Sequence, residues 1–141
     1  GHLKKGSDLW LNNPRLYHEA SGTSGMTAAM NASINLSIPD GWIPEFARHK
    51  HNAFIIPTAD DHLPVEERDR IEAKNLLDLL EHEVIPMYYD QPDEWLKIMK
   101  AGMREIVPYF DAGRMADEYY TKLYHYQAEE TTGSSSNQFA A

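Results

Sequence analysis

An α/β fold is predicted from three observations. Short apolar runs in the first 57 residues each end at turn-forming residues. A glycine-rich turn between the first two runs leads straight into a stretch of good helix formers. In the second half, apolar residues recur three and four apart. Taken in order, Asp8-Leu9-Trp10-Leu11-Asn12 reads as a buried strand closed by Asn12-Asn13-Pro14. Glu19-Ala20-Ser21-Gly22-Thr23-Ser24-Gly25 follows, and Met26 to Ala32 is rich in Ala and Met, so a helix starts here with Thr23 or Ser24 as its N-cap. Ile34-Asn35-Leu36-Ser37-Ile38, stopped by Pro39-Asp40-Gly41, is the second strand. Ala53-Phe54-Ile55-Ile56 before Pro57 is the third. Strand, helix, strand in this order implies a parallel pair.

The remainder predicts about three helices. Pro64 suits a helix start, with Glu66, Glu67 and Asp69 at the positive end of its dipole as a solvated face. Ile71, Leu76, Leu77, Leu80, Val84 and Ile85 form its apolar stripe, which Pro86 ends or kinks. From Pro92 a second helix carries Trp95, Ile98, Met99, Met103, Ile106 and Val107 on one buried face. A last helix from about Ala112 aligns Met115, Tyr119, Leu123 and Tyr126. Residues 1–126 are thus read as one segment, strands and glycine loop over 1–57 and helices over 58–126. The Glu-, Thr-, Gly- and Ser-rich residues 127–141 are expected to be a disordered tail. Three strands are few for an open sheet, which commonly has about five or six. The segment is therefore expected to be the C-terminal part of a larger sheet domain, or to complete its sheet by association. The opening Gly1 fits a trimmed piece.

Composition excludes several function classes. The 141 residues contain no cysteine, which removes disulfides, thiolate metal sites and thiol catalysis. Thirteen basic against 22 acidic residues leave a net charge of −9, which disfavours nucleic acid. No run approaches the roughly 20 apolar residues of a membrane helix, and no secretory signal opens the chain, so a cytoplasmic location is expected.

A strand, a glycine turn and a helix N-terminus together make an anion site, because free backbone N–H groups point outward and glycine lets a ligand approach the main chain. Gly22-Thr23-Ser24-Gly25 supplies two glycines and two hydroxyls, without the lysine of a P-loop or a full dinucleotide fingerprint. Spacing alone leaves two readings, a ligand loop or a packing device. Glu19 is likewise either a carboxylate for sugar hydroxyls or a solvated loop residue.

The run Glu19-Ala20-Ser21-Gly22-Thr23-Ser24-Gly25-Met26, continued by Ala28-Ala29-Met30-Asn31, Asn35-Leu36-Ser37 and Asp40-Gly41-Trp42 and preceded by Asp8 to Pro14, resembles the α-glucan (glycogen/starch) phosphorylase family. The resemblance implies a GT-B architecture of two Rossmann-like domains, with this chain as the C-terminal portion of the second, and a glucosyl transfer between α-1,4-glucan and phosphate. It implies that Glu19, Ser21 and Gly22 hold the sugar, and that Thr23, Ser24 and Gly25 hold the phosphate of pyridoxal phosphate. It also implies partners: α-glucan, phosphate or sugar phosphate, and the rest of its own GT-B chain. One position departs from the pattern. Where the family places the lysine that binds pyridoxal, this chain has Thr27, whose hydroxyl forms no imine, so covalent attachment is excluded there. Non-covalent cofactor binding, a nucleotide-sugar-dependent retaining glucosyltransferase of glycogen synthase type, and a catalytically silent carbohydrate-binding module are the alternatives. No catalytic residue is assigned within the chain, and the isolated 141 residues are expected to be inactive.

Other features are read more plainly. His49-Lys50-His51, with His62 and Asp60-Asp61 downstream, is taken as a solvated loop, so no metal site is expected. His18 is read as a loop histidine. Trp42 either stacks on a sugar in the cleft, the preferred reading, or plugs the core, and Tyr119, Tyr120, Tyr124 and Tyr126 pack against a further domain. Homo-oligomerisation through the sheet edge or the last helix is expected.

Overall fold

The structure, a computed structural model, describes residues 6–18 and 22–124. The chain is α/β, as predicted. Strands β1 (Leu9–Asn12), β2 (Ile34–Ser37) and β3 (Ala53–Ile55) form a parallel sheet in the order β1-β2-β3. Helix α1 (Thr23–Met30) makes the crossover from β1 to β2, and a short helix α2 (Ile43–Phe46), absent from the sequence reading, lies between β2 and β3. Register runs Leu9 to Ile34 and Asn12 to Ser37 on one side of β2, and Asn35 to Ala53 on the other.

All four residues of β2 are buried. Side chains alternate across a strand, so Ile34 and Leu36 enter the main core with Ile38, Phe54, Ile56, Leu79, Val84, Trp95 and Ile98. Asn35 and Ser37 face the other way, and Asn35 bonds to α1. A central strand covered on both faces explains why its polar residues are buried as deeply as its isoleucines. By contrast β1, read as a buried strand, borders the described sheet and leaves Leu11 52% exposed.

The helical half follows the sequence with shifts of face. Helix α3 (Val65–Leu79) starts after Pro64 and continues through a π-helical turn, Leu80–Val84, into α4 (Ile85–Asp90). Pro86 therefore does not end the helix. It sits in the first turn of α4, where a missing N–H costs little. The wider turn also brings Leu79 and Val84, five residues apart, into one core, while Leu77 (62%) and Ile85 (50%) of the predicted stripe are exposed. Leu77→Ser is accordingly expected to change stability by no more than about 0.5 kcal/mol in urea denaturation, as at other exposed positions. Helix α5 (Pro92–Tyr109) buries Trp95, Ile98 and Ile106 as predicted, together with Ala101 and Gly102, but leaves Met103 and Val107 exposed. The solvated start of α3 is as expected, apart from a fork in which Arg15 donates to both carboxylate oxygens of Asp69, at 3.2 and 2.7 Å.

The chain separates into two compact units at Asp111. The second holds helix α6 (Ala112–Tyr119) and a π-turn, Tyr120–Tyr124, with Met115, Tyr119, Leu123 and Tyr124 exposed. Tyr126 and the tail 127–141 lie outside the described residues. No described helix is long and apolar enough to cross a membrane.

Candidate functional site

The site is built where β1 hands over to α1. Gly22 is the N-cap of α1, with φ 75° and ψ 32°, a left-handed conformation that glycine adopts without penalty. This corrects the expectation that Thr23 or Ser24 caps the helix. They are its first two residues, both exposed. The Gly22 carbonyl accepts from the N–H of Gly25 at 3.0 Å and of Met26 at 3.4 Å. The N–H groups of Thr23 and Ser24 meet no acceptor among the described residues. No side chain caps this helix, and no acidic residue stands in its first turn. Neither usual way of compensating the positive end of a helix is thus supplied by the described chain. An anion placed there gains two backbone donors and the helix field together.

Gly25 is buried, and its position is decided by what surrounds it. A Cβ on Gly25 would stand 2.7 Å from Asn35 Oδ1, 3.1 Å from Trp42 Nε1 and 3.2 Å from Trp42 Cζ2. The helix start is therefore seated directly on β2 and on the loop that follows it. That loop turns at Gly41, with φ 60°, whose N–H donates to Asp40 Oδ1 at 2.8 Å. Trp42 itself is 3% exposed. It stacks on Phe46 (ring centroids 5.3 Å) and meets Phe110 edge-on (5.4 Å). Of the two readings of Trp42, the preferred cleft position is corrected and the core position holds: its ring is buried against the start of α1. Asn35 is the residue to which the search for chemical motifs gave no role, and a polar residue inside an apolar strand was the available signal.

Thr27 lies one turn into α1, exposed, with its hydroxyl donating to the Thr23 carbonyl at 2.9 Å. Glu19 and Ser21 lie outside the described residues. His18 is exposed on the preceding loop.

The His49-Lys50-His51 run is exposed and engages carboxylates. His49 Nδ1 accepts the Ile55 N–H at 3.1 Å, so Nε2 carries the proton and donates to Glu83, also at 3.1 Å. Lys50 pairs with the same Glu83 at 2.7 Å, while His51 Nε2 donates to Glu105 at 2.8 Å. The two imidazoles thus serve carboxylates on different helical segments. The Lys50 ammonium holds the Glu83 carboxyl below the ordinary carboxylate range, against partial burial and with His49 adding to the effect. Among the described residues, the group close enough to share an ion is Asp60, Asp61 and His62, all exposed, without His49 or His51. A groove of about 920 Å3 opens beyond β3, lined in part by His49, Pro57, Asn75, His82 and Glu83. Its amide and imidazole groups are engaged: Asn75 Nδ2 donates to the Pro57 carbonyl at 2.8 Å and His82 Nδ1 to the Asp78 carbonyl at 2.9 Å.

Relatives give this geometry its context. The chain is 47% identical over 121 residues to maltodextrin phosphorylase of Thermococcus litoralis, covering 84% of this chain and 14% of that protein. It is 40% identical over 129 residues to glycogen phosphorylase of Aquifex aeolicus, covering 87% of this chain and 18% of the relative. To glycogen phosphorylase of Mycobacterium tuberculosis it is 37% identical over 141 residues, 96% of this chain and 16% of the relative. The chain therefore spans less than a fifth of the length of these three relatives. No family model and no solved structure matches it. A parallel α/β segment with a glycine turn at a helix start, matched by three phosphorylases, defines a piece of a phosphorylase-type protein. More particularly, the chain belongs to the α-glucan phosphorylase family, as one segment of such a protein.

Proposed function

We propose that the complete polypeptide carrying these residues is a cytoplasmic glycosyltransferase that moves glucosyl units between an α-1,4-glucan and phosphate. The observation that carries this reading is the identity to glycogen and maltodextrin phosphorylases over most of the chain. The uncapped start of α1 supports it. In this reading the amides of Thr23 and Ser24, with Gly25, hold a phosphate group, and Glu19, Ser21 and Gly22 hold hydroxyls of the sugar beside it. Two oriented N–H donors lower the energy of an anion without having to reorganise when it binds.

Pyridoxal phosphate fits these residues in one respect only. Its phosphate group finds the donors of Thr23 and Ser24. Its aldehyde finds no amine at residue 27, where the Thr27 hydroxyl is turned back onto the helix. Covalent attachment at this position does not fit, and no step is derived through the cofactor. The same threonine favours a second reading, a transferase whose nucleotide-sugar diphosphate lies on the helix start. Incubating the complete protein with maltodextrin and phosphate is expected to yield glucose 1-phosphate, and the 141 residues alone are expected to yield none. Glucosyl transfer that requires a nucleotide sugar, with no phosphorolysis, decides for the second reading, and no turnover with either donor rejects both.

A further inference from the structure

We infer that Asn35 is a positioning residue: through its hold on Gly25 it sets the orientation of the Thr23 and Ser24 amides. The inference rests on the reading of that turn as a phosphate site. Asn35 lies on the central strand, 2% exposed, on the face of β2 that carries α1. Its Nδ2 donates to the Gly25 carbonyl at 3.1 Å, a tie between sheet and helix start across ten residues of chain. Its Oδ1 has no hydrogen-bond partner among the described residues and stands 2.7 Å from where a Gly25 Cβ would be. A buried acceptor without a partner is costly, and an apolar side chain of similar shape removes that cost. For packing alone, leucine is therefore the better occupant. What asparagine adds is the amide grip on Gly25, which fixes the rotation of the first helical turn and so the direction of the Thr23 and Ser24 N–H groups. Gly25 takes part by lacking a side chain, since a Cβ would push Asn35 away and press on Trp42.

The test separates positioning from structure by reading thermal stability and phosphate affinity on the same variants of the complete protein. Asn35→Leu is expected to melt at or above the wild-type temperature yet bind inorganic phosphate about tenfold more weakly in calorimetry, the effect of misdirecting one good hydrogen bond. Gly25→Ala is expected to bind weakly as well. Gly25→Ala combined with Asn35→Ala is expected to lose less than the two single changes multiplied together, because removing the amide makes room for the new methyl. Wild-type phosphate affinity in Asn35→Leu overturns the inference and leaves the phosphate site standing. A wild-type protein that takes up no phosphate overturns the site itself, and the inference with it. Should Asn35→Leu not fold, Asn35→Ser, too short to reach the Gly25 carbonyl, is read by the same two measurements.

Discussion

Trp42→Ala is expected to lower stability by about 3–5 kcal/mol, the range for removing a large buried aromatic. Its ring is the middle of a second core with Ala29, Ile43, Phe46 and Ile106. Phe46 stacks on it and Phe110 meets it edge-on, and such aromatic pairs contribute about 0.5–1.5 kcal/mol beyond the area they bury. The void would open beneath Gly25, so the helix start would lose its seat and phosphate binding would fall along with the urea midpoint. Trp42→Phe, which keeps a ring in place, is expected to cost less than half as much. A loss under about 1 kcal/mol for the alanine variant would place the indole outside the core.

The second large effect concerns Glu105, which ties α5 to the loop between α2 and β3. Its carboxylate accepts from Arg48 Nη2 at 2.6 Å, His51 Nε2 at 2.8 Å and Asn52 Nδ2 at 3.1 Å. Burial opposes its charge, but the bonds from His51, Arg48 and Asn52 prevail and hold its pKa at about 2, against an ordinary 4.5. A carboxyl that ionises more readily when folded stabilises the fold above its ordinary pKa, and that contribution drains away as pH falls from about 4.5 towards 2. Arg48 and His51 are partly exposed, so solvent screening reduces the effect to roughly 2 kcal/mol at neutral pH. Glu105→Gln is expected to be less stable than wild type by about that amount at pH 7 and equally stable near pH 2. Denaturant titrations across that range measure the gap, and a gap independent of pH would show that the charge contributes nothing.

The fold was legible wherever local chemistry agreed with the tertiary structure. Apolar runs closed by turn residues marked all three strands, and the proline-started helices began where their prolines and acidic residues placed them. The glycine turn was legible as a helix start because its ingredients are local. Which residue capped it was not, since Gly22 in a left-handed conformation performs a task that composition assigns to Thr23 or Ser24. Trp42 and Asn35 were misread or passed over for a different reason. Their roles come from the meeting of α1, β2 and the loop after β2, and no spacing along the chain encodes that contact. The carboxylate partners of His49 and His51 were not legible either, since they lie 34 and 54 residues away.

The π-turn at Leu80–Val84 carries a consequence for insertions and deletions. One extra residue per turn acts like a spacer in a screw: removing it would advance all that follows by about 100° around the axis and about 1.5 Å along it. Val84 and Met87 would rotate out of the interior, and Ile85 and Tyr88 would swing in. A change of length within that turn therefore displaces the whole buried face of the following helix, whereas a replacement there disturbs only the contacts of the residue replaced.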